Sequence, residues 1–226
     1  MWVKICANTN LEDAALAIEL GADAVGFVFA KSRRQVTVPQ VAAITRALPD
    51  SVERIGVFDS ADASEIAAAV WEARLSAAQL HRGYDEALVA RLSEMLGDTV
   101  GIIPTLHWSA DSADSTSVQG IAAELEHIAR AGIARRVLVD SKVNGISGGT
   151  GVRFDWVSAR QVFSEVPKGL QLILAGGLNA ANVGKAIREL NPAGVDVASG
   201  VEASAGKKDP AQVASFIRAA RYTGTP

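Results

Sequence analysis

Short apolar runs alternate with longer amphipathic segments along the whole chain. Eight of the apolar runs have the length and composition of strands buried on both faces of a parallel sheet. They cover Val3–Cys6, Ala24–Phe29, Arg54–Phe58, Ala77–Leu80, Val100–Ile103, Arg136–Val139, Leu170–Ala175 and Val195–Ala198. The spacing of apolar residues between and after them predicts helices over Leu11–Leu20, Val38–Leu48, Ala61–Arg74, Asp85–Leu96, Val118–Ala131, Phe154–Phe163, Ala180–Leu190 and Pro210–Arg221. This alternation predicts an α/β fold, a single (β/α)8 TIM barrel over residues 1–226.

The last two predicted strands each end at a turn of small residues. Gly176 and Gly177 follow the seventh strand, and Ser199 and Gly200 follow the eighth. Glycine lets backbone N–H groups approach an anion closely, and the N-terminus of the next helix adds a favourable dipole. Glycine after a strand is also ordinary in loops. Because two such turns stand in tandem where TIM barrels commonly bind phosphate, we predict a phosphate site and a phosphorylated small molecule as ligand.

Composition and charge narrow the classes of partner. The 226 residues suit one barrel, and the 22 basic and 25 acidic residues are interspersed with a net charge of −3. This balance argues against nucleic acid or a membrane surface as the main partner. The lone cysteine, Cys6, predicts no internal disulfide, and no apolar run approaches the length of a membrane span. We therefore expect a cytoplasmic protein, and the sequence leaves open whether it is a monomer or a homodimer.

Two reactive side chains stand at predicted strand ends, where TIM barrels carry their chemistry. Cys6 ends the first strand and Asp140 follows the sixth. A lone cysteine is usually an inert core residue, and a carboxylate after a strand can be a helix cap or loop anchor instead of an acid or base. If both act, a thiolate base opposite a carboxylic acid forms a proton-transfer pair.

Several short motifs in order carry a resemblance to a known family. The chain resembles the phosphoribosylanthranilate isomerases of tryptophan biosynthesis over nearly its whole length. The motifs are Lys4-Ile5-Cys6, Gly56-Val57-Phe58, Gln79-Leu80-His81, Asp140-Ser141, Gly149-Thr150-Gly151, Phe154-Asp155-Trp156, Leu174-Ala175-Gly176-Gly177-Leu178-Asn179, Gly194-Val195-Asp196-Val197, Ser199-Gly200-Val201-Glu202 and Gly206-Lys207-Lys208-Asp209. The resemblance implies an Amadori rearrangement of N-(5′-phosphoribosyl)anthranilate, an aminoaldose, to an aminoketose, with no cofactor and no metal.

The resemblance also implies roles for individual residues. Cys6 takes the place of the family's general base and Asp140 that of its general acid. Arg34 matches an arginine that pairs with the anthranilate carboxylate, although a solvated basic turn is the alternative and Lys31 and Arg33 are its neighbours. His81 is a candidate for the substrate pocket, or a hydrogen-bonded histidine at a strand end. His107 and His127 have no comparable support, and His127 is predicted to lie on the surface.

Barrel closure predicts one further contact. Lys4 and Cys6 point to the same side of the first strand, and the last strand, which carries Asp196, lies beside it. We expect Lys4 to pair with Asp196 inside the barrel, and our hypothesis is that this charge lowers the pKa of the Cys6 thiol. A purely structural ion pair is the alternative.

Some positions depart from the family pattern. Ala7 stands where the family usually has glycine, Arg82 precedes Gly83 after His81, and Ala198 replaces a common serine. The polar segment His107–Ser117 predicts a loop, functional or not.

The competing functions are the histidine-pathway aminoaldose isomerase or a dual-substrate enzyme, a lyase or decarboxylase on the same barrel, and a barrel that only binds a sugar phosphate.

Overall fold

The structure, a computed structural model, describes residues 1–108, 118–141 and 156–222. Eight parallel strands close into a barrel in sequence order, which confirms the predicted (β/α)8 fold. The barrel strands are β1 Trp2–Ile5, β2 Ala24–Val28, β3 Glu53–Phe58, β4 Ala77–Leu80, β5 Gly101–Trp108, β6 Arg136–Ser141, β7 Gln171–Ala175 and β8 Gly194–Val197. The helices are α1 Leu11–Glu19, α2 Val38–Thr45, α3 Ala63–Glu72, α4 Glu86–Leu96, α5 Val118–Ala131, α6 Trp156–Ser164, α7 Val183–Leu190 and α8 Pro210–Arg221.

Side-chain caps fix the beginnings of several helices. Asn10 accepts a hydrogen bond from the backbone N–H of Asp13 at the start of α1, and Thr37 forms a capping box with Gln40 at the start of α2. Asp62 caps α3 through two backbone N–H groups, so this helix begins at Ala63, two residues after the predicted start. Each cap satisfies backbone donors that the first turn of a helix leaves unpaired.

The barrel closes through β1 and β8, and its interior contains a polar layer. Lys4 and Asp196 are register partners in this pairing, and Lys4 Nζ lies 3.3 Å from Asp196 Oδ1. Lys4 Nζ also donates to Gln79 Oε1 at 2.7 Å, and Gln79 Nε2 donates to Thr105 Oγ1 at 3.3 Å. The predicted pairing of Lys4 with Asp196 is confirmed, and four strands contribute to a buried layer of ion-paired and hydrogen-bonded side chains inside the barrel.

The fifth strand is longer than predicted. β5 continues to Trp108, and His107 and Trp108 pair in register with Asp140 and Ser141 of β6. The predicted loop therefore starts too early, because Pro104 and the polar residues after it hide the strand in the sequence although Leu106 and Trp108 are buried. The rest of that loop, residues 109–117, lies outside the described residues, as do Gly149-Thr150-Gly151 and Phe154-Asp155.

A two-stranded hairpin after β8 was not predicted. β9, Glu202–Ser204, pairs antiparallel with β10, Lys207–Lys208. Gly206 lies between them with φ 83°, a left-handed conformation that glycine adopts at no steric cost. Because both strands are very short and polar, they give no periodic apolar signal.

Candidate active site

One cavity of about 380 Å³ opens at the carboxyl ends of the strands. All eight residues that the sequence selects for the site line this cavity, together with Asp59 and Asp196. The eight are Cys6, Arg34, His81, Asp140, Gly176, Gly177, Ser199 and Gly200. The barrel therefore brings the selected residues together, as the ends of neighbouring parallel strands must meet at one rim.

The turn after β1 holds Cys6 at the floor of the cavity. The Cys6 backbone N–H donates to Val197 O at 2.8 Å, and the buried Asn8 side chain donates to Ile5 O at 2.8 Å. Ala7 has φ 63°, the left-handed conformation that glycine adopts more readily, so the alanine retains the backbone course that glycine favours. The departure from glycine at Ala7 therefore leaves the first loop held by these hydrogen bonds.

Gly26 makes room for the thiol and the lysine. A Cβ atom at this position would lie 2.7 Å from Cys6 Sγ and 2.8 Å from Lys4 Cε. Only glycine therefore lets β2 pass so close to both side chains.

Burial and charge act in opposite directions on the Cys6 thiol. Burial raises the pKa of Cys6 above its ordinary value, Lys4 acts against this increase, and the negative charge of Asp196 adds to it. Lys4 Nζ donates to Cys6 Sγ at 3.4 Å. Although burial disfavours its charge, Asp196 and Cys6 raise the pKa of Lys4. Lys4 therefore acts on the pKa of the Cys6 thiol in the direction of the hypothesis, but burial outweighs the lysine and the pKa is raised overall.

Asp140 lies on the last part of β6, across the mouth from Cys6. Its register partners are His107 of β5 and Ala175 of β7, and its side chain is half-buried in the cavity wall. Strands β7 and β8 separate β6 from β1 around the barrel. The thiol and the carboxyl therefore flank the two strands whose ends carry the small-residue turns.

Those two turns pack against each other. Gly176 and Gly177 have φ values of 93° and 61°, which glycine accommodates without strain. Gly200 lies in a 3₁₀ turn over Ser199–Val201, and a Cβ on it would be only 1.9 Å from Leu178 O. The close approach of the two backbones leaves glycine as the residue that fits at position 200.

Arg34 lies in the cavity wall but is bound to another part of the chain. Its Nε and Nη2 atoms donate to the Glu202 carboxylate at distances of 2.6 to 3.0 Å. Lys31 also lines the cavity, whereas Arg33 is not among the lining residues. The Arg34 guanidinium is therefore held in place by a two-point contact with the Glu202 carboxylate.

The three histidines occupy different places, and the places of His81 and His127 agree with expectations from the sequence. His81 lines the cavity, and His127 is an exposed residue of α5 whose Nε2 lies 2.8 Å from Glu86 Oε2. His107 was given no role, yet its ring stacks edge-on against His81 at 4.8 Å and its Nε2 lies 2.6 Å from His81 O. His107 thus helps to fix His81. Arg82 is exposed, and its Nη1 lies 3.5 Å from Asp59 O.

Comparison with known proteins identifies the family. Residues 3–219 match the family model described as N-(5′-phosphoribosyl)anthranilate (PRA) isomerase. The chain belongs to this family. Among curated relatives, the N-(5′-phosphoribosyl)anthranilate isomerase of Pseudomonas fluorescens is 38% identical over 96% of this chain and 97% of the relative. That of Syntrophomonas wolfei is 39% identical over 99% and 98%.

Solved structures of PRA isomerases share the fold. The enzyme from Thermotoga maritima aligns with a TM-score of 0.81 at 35% identity, covering 98% of both chains. Another PRA isomerase structure, in complex with reduced 1-(o-carboxyphenylamino)-1-deoxyribulose 5-phosphate, aligns with a TM-score of 0.79 at 33% identity over 98% of both chains. A third, described as mutually generated monomers of the dimeric Thermotoga maritima enzyme, aligns with a TM-score of 0.78 at 33% identity over 98% of both chains.

Two kinds of feature are absent from the described residues. In residues 1–108, 118–141 and 156–222, no helix is long and apolar enough to cross a membrane. Over the same ranges, no group of three or more His, Cys, Asp and Glu side chains is placed to hold a metal ion.

Sequence reasoning missed three buried polar residues around this PRA isomerase site. Gln79 lines the cavity and binds Lys4, while Glu202 and Lys208 form a buried ion pair at 3.2 Å beside Arg34. Glu202 and Lys208 both stand in motifs that carry the family resemblance, but a motif does not show which of its residues face inward. A lysine next to another lysine, as Lys208 is to Lys207, resembles a solvated pair in sequence.

Proposed function

We propose that this PRA isomerase family member converts N-(5′-phosphoribosyl)anthranilate to 1-(2-carboxyphenylamino)-1-deoxyribulose 5-phosphate in tryptophan biosynthesis, with Cys6 as general base and Asp140 as general acid. The observation that carries the proposal is that one cavity contains both residues and the two small-residue turns. We further expect a cytoplasmic protein, monomeric or homodimeric, whose ligand is a small phosphorylated molecule.

The arrangement suits two successive proton transfers. Asp140 protonates the furanose ring oxygen, and the C1′–O bond breaks to give an open iminium ion. The iminium acidifies the neighbouring C–H, so that the Cys6 thiolate removes the C2′ proton. The resulting enolamine tautomerises to the ketone. Because Cys6 follows β1 directly and Asp140 lies on β6, they flank a ligand that is anchored between them at β7 and β8.

Other residues of the cavity are assigned to the two ends of the ligand. We expect the backbone N–H groups of Gly176, Gly177, Ser199 and Gly200 to bind the phosphate, and alanine in place of serine at position 198 removes a hydroxyl without removing backbone donors. We expect Arg34 to bind the anthranilate carboxylate through its planar array of donors. His81 lines the wall, where it limits the space for the ligand.

The first experiment tests the activity directly. The purified protein is incubated with freshly generated phosphoribosylanthranilate, and the loss of anthranilate-type fluorescence is followed against a protein-free control for spontaneous hydrolysis. We expect a saturable loss well above the control. A loss equal to the control would contradict the proposal, and turnover of the histidine-pathway aminoaldose instead would reassign the substrate.

Gly200→Ala is expected to weaken phosphate binding. Since its Cβ would lie 1.9 Å from Leu178 O, alanine must push the two turns apart and misplace their N–H donors. We expect KM, measured by steady-state kinetics, to rise about tenfold. This change corresponds to the loss of roughly one charge-assisted hydrogen bond. Gly184→Ala is a matched control, because its Cβ would meet no atom closer than 3.5 Å. Equal KM values for both variants would contradict the assignment.

Lys4→Met is expected to change the pH dependence of the reaction. Lys4 acts against the burial that raises the pKa of Cys6, so removing its charge raises that pKa further. The thiolate fraction below the pKa then falls, and for each unit of pKa we expect kcat/KM at neutral pH to fall about tenfold. The loss should shrink as the pH rises through the new pKa. A loss of the same size at every pH would show instead that Lys4 has a purely structural role.

A further inference from the structure

Three segments at the mouth of the barrel meet at a small group of largely buried charges. The hairpin of β9 and β10 contributes Glu202 and Lys208, whose side chains are 4% and 0% exposed. The loop after β2 contributes Arg34. The start of α1 contributes Asp13, which accepts a hydrogen bond from the Lys208 backbone N–H at 2.9 Å. The hairpin is thus tied to the first two loops of the barrel.

The contact between Arg34 and Glu202 uses one defined edge of the guanidinium. Arg34 Nε lies 2.9 and 3.0 Å from the two Glu202 oxygens, and Nη2 lies 2.6 Å from Oε2. A guanidinium has five N–H donors in a plane, so a second edge, formed by Nη1 and the other hydrogen of Nη2, is not used by Glu202. Arg34 lines the cavity, so we expect this second edge to be the one that meets a ligand carboxylate.

Lys208 prevents Glu202 from neutralising Arg34. Lys208 Nζ donates to Glu202 Oε1 at 3.2 Å and to Ala198 O at 3.3 Å. Two cations therefore share one buried carboxylate, and the Arg34–Glu202–Lys208 triad carries a net charge of +1 when all three are ionised. A ligand anion at the cavity meets a fixed guanidinium that keeps its positive charge.

We propose that Glu202 is a positioning residue that aims Arg34 at the carboxylate of the substrate and so makes the isomerase selective for a carboxylated aromatic amine. The inference rests on the proposed isomerase function. It adds to that function a residue that touches Arg34 and not the reacting atoms.

The charge states agree with this role. Hydrogen bonding to Glu202 raises the pKa of Arg34, and the Arg34 and Lys208 contacts outweigh burial and lower the pKa of Glu202. Both partners therefore remain charged around neutral pH, where the carboxylate of an aromatic acid is also ionised.

Glu202→Gln tests the proposal with two substrates. One is phosphoribosylanthranilate, and the other is the phosphoribosylated phenylamine that lacks only the carboxylate. In the variant we expect KM for the carboxylated substrate to rise about tenfold, because glutamine cannot accept on two oxygens and Arg34 loses its orientation. We expect KM for the phenylamine substrate and kcat for both to stay within about twofold. The conversion of the phenylamine substrate is followed by chromatography.

The outcomes separate this inference from the proposed function. If the native protein turns over neither substrate, the proposed function fails. If it turns over both and Glu202→Gln changes their KM values by the same factor, or changes kcat alone, the positioning role is overturned. Glu12→Gln is the control, since Glu12 is 83% exposed and binds Lys207 of the same hairpin at 3.1 Å. Should Glu202→Gln fail to fold, Glu202→Asp keeps the charge with a shorter reach and is compared in the same way.

Discussion

Replacing Cys6 with serine is expected to lower kcat about a thousandfold, within the range that a positioned general base contributes, while KM stays within about threefold. A serine hydroxyl is a far weaker acid than a thiol, so it supplies almost no base near neutral pH. Serine is slightly smaller than cysteine and fits the space that Gly26 leaves beside Cys6. The folded structure should therefore persist, which makes steady-state kinetics a clean measurement of the chemical step.

Thiol alkylation gives an independent check on the same residue. Cys6 is the only cysteine of the chain, so a thiol reagent that inactivates the native protein reports on this residue alone. Cys6 is only 6% exposed and lines the cavity. We therefore expect product bound in the cavity to slow the alkylation. A Cys6→Ser variant that retained more than about a tenth of the native kcat would contradict the role of Cys6 as general base.

Most of the barrel could be predicted from the chain because its signals are local. Buried parallel strands are nearly continuous apolar runs, and each ends where polar or small residues begin. Cys6 and Asp140 were found in this way, and barrel closure alone placed Lys4 opposite Asp196, as the register confirms. Strand ends and neighbours around a closed sheet follow from sequence order, and so these contacts needed no side-chain geometry.

What the sequence could not predict depends on burial and on long-range contacts. The β9 and β10 hairpin is short and polar, and Glu202 contacts Arg34 across 168 positions of sequence. The net direction of the Cys6 pKa could not be predicted from the sequence for a related reason. A lysine two residues away is visible in the sequence, whereas the loss of solvent that outweighs it appears only when the barrel closes around the thiol.

Asp140→Asn is expected to lower kcat by about two to four orders of magnitude, again with a small change in KM. Asparagine has nearly the same shape and can still donate a hydrogen bond, but its amide cannot transfer a proton to the ring oxygen. Opening of the furanose ring should then limit the rate. The measurement is kcat for the purified variant at saturating phosphoribosylanthranilate, with circular dichroism to confirm that the barrel is folded.

Asp59→Asn is the matched control for this variant. Asp59 also lines the cavity, after β3, so its substitution removes a carboxylate of the same size from the same mouth. We expect its kcat to stay within about threefold of the native value, because it is not assigned to a proton transfer. If both variants lost activity equally, the loss would reflect the charge of the mouth as a whole. Loss in Asp140→Asn alone requires a proton donor at the end of β6, since the two variants change the net charge by the same amount.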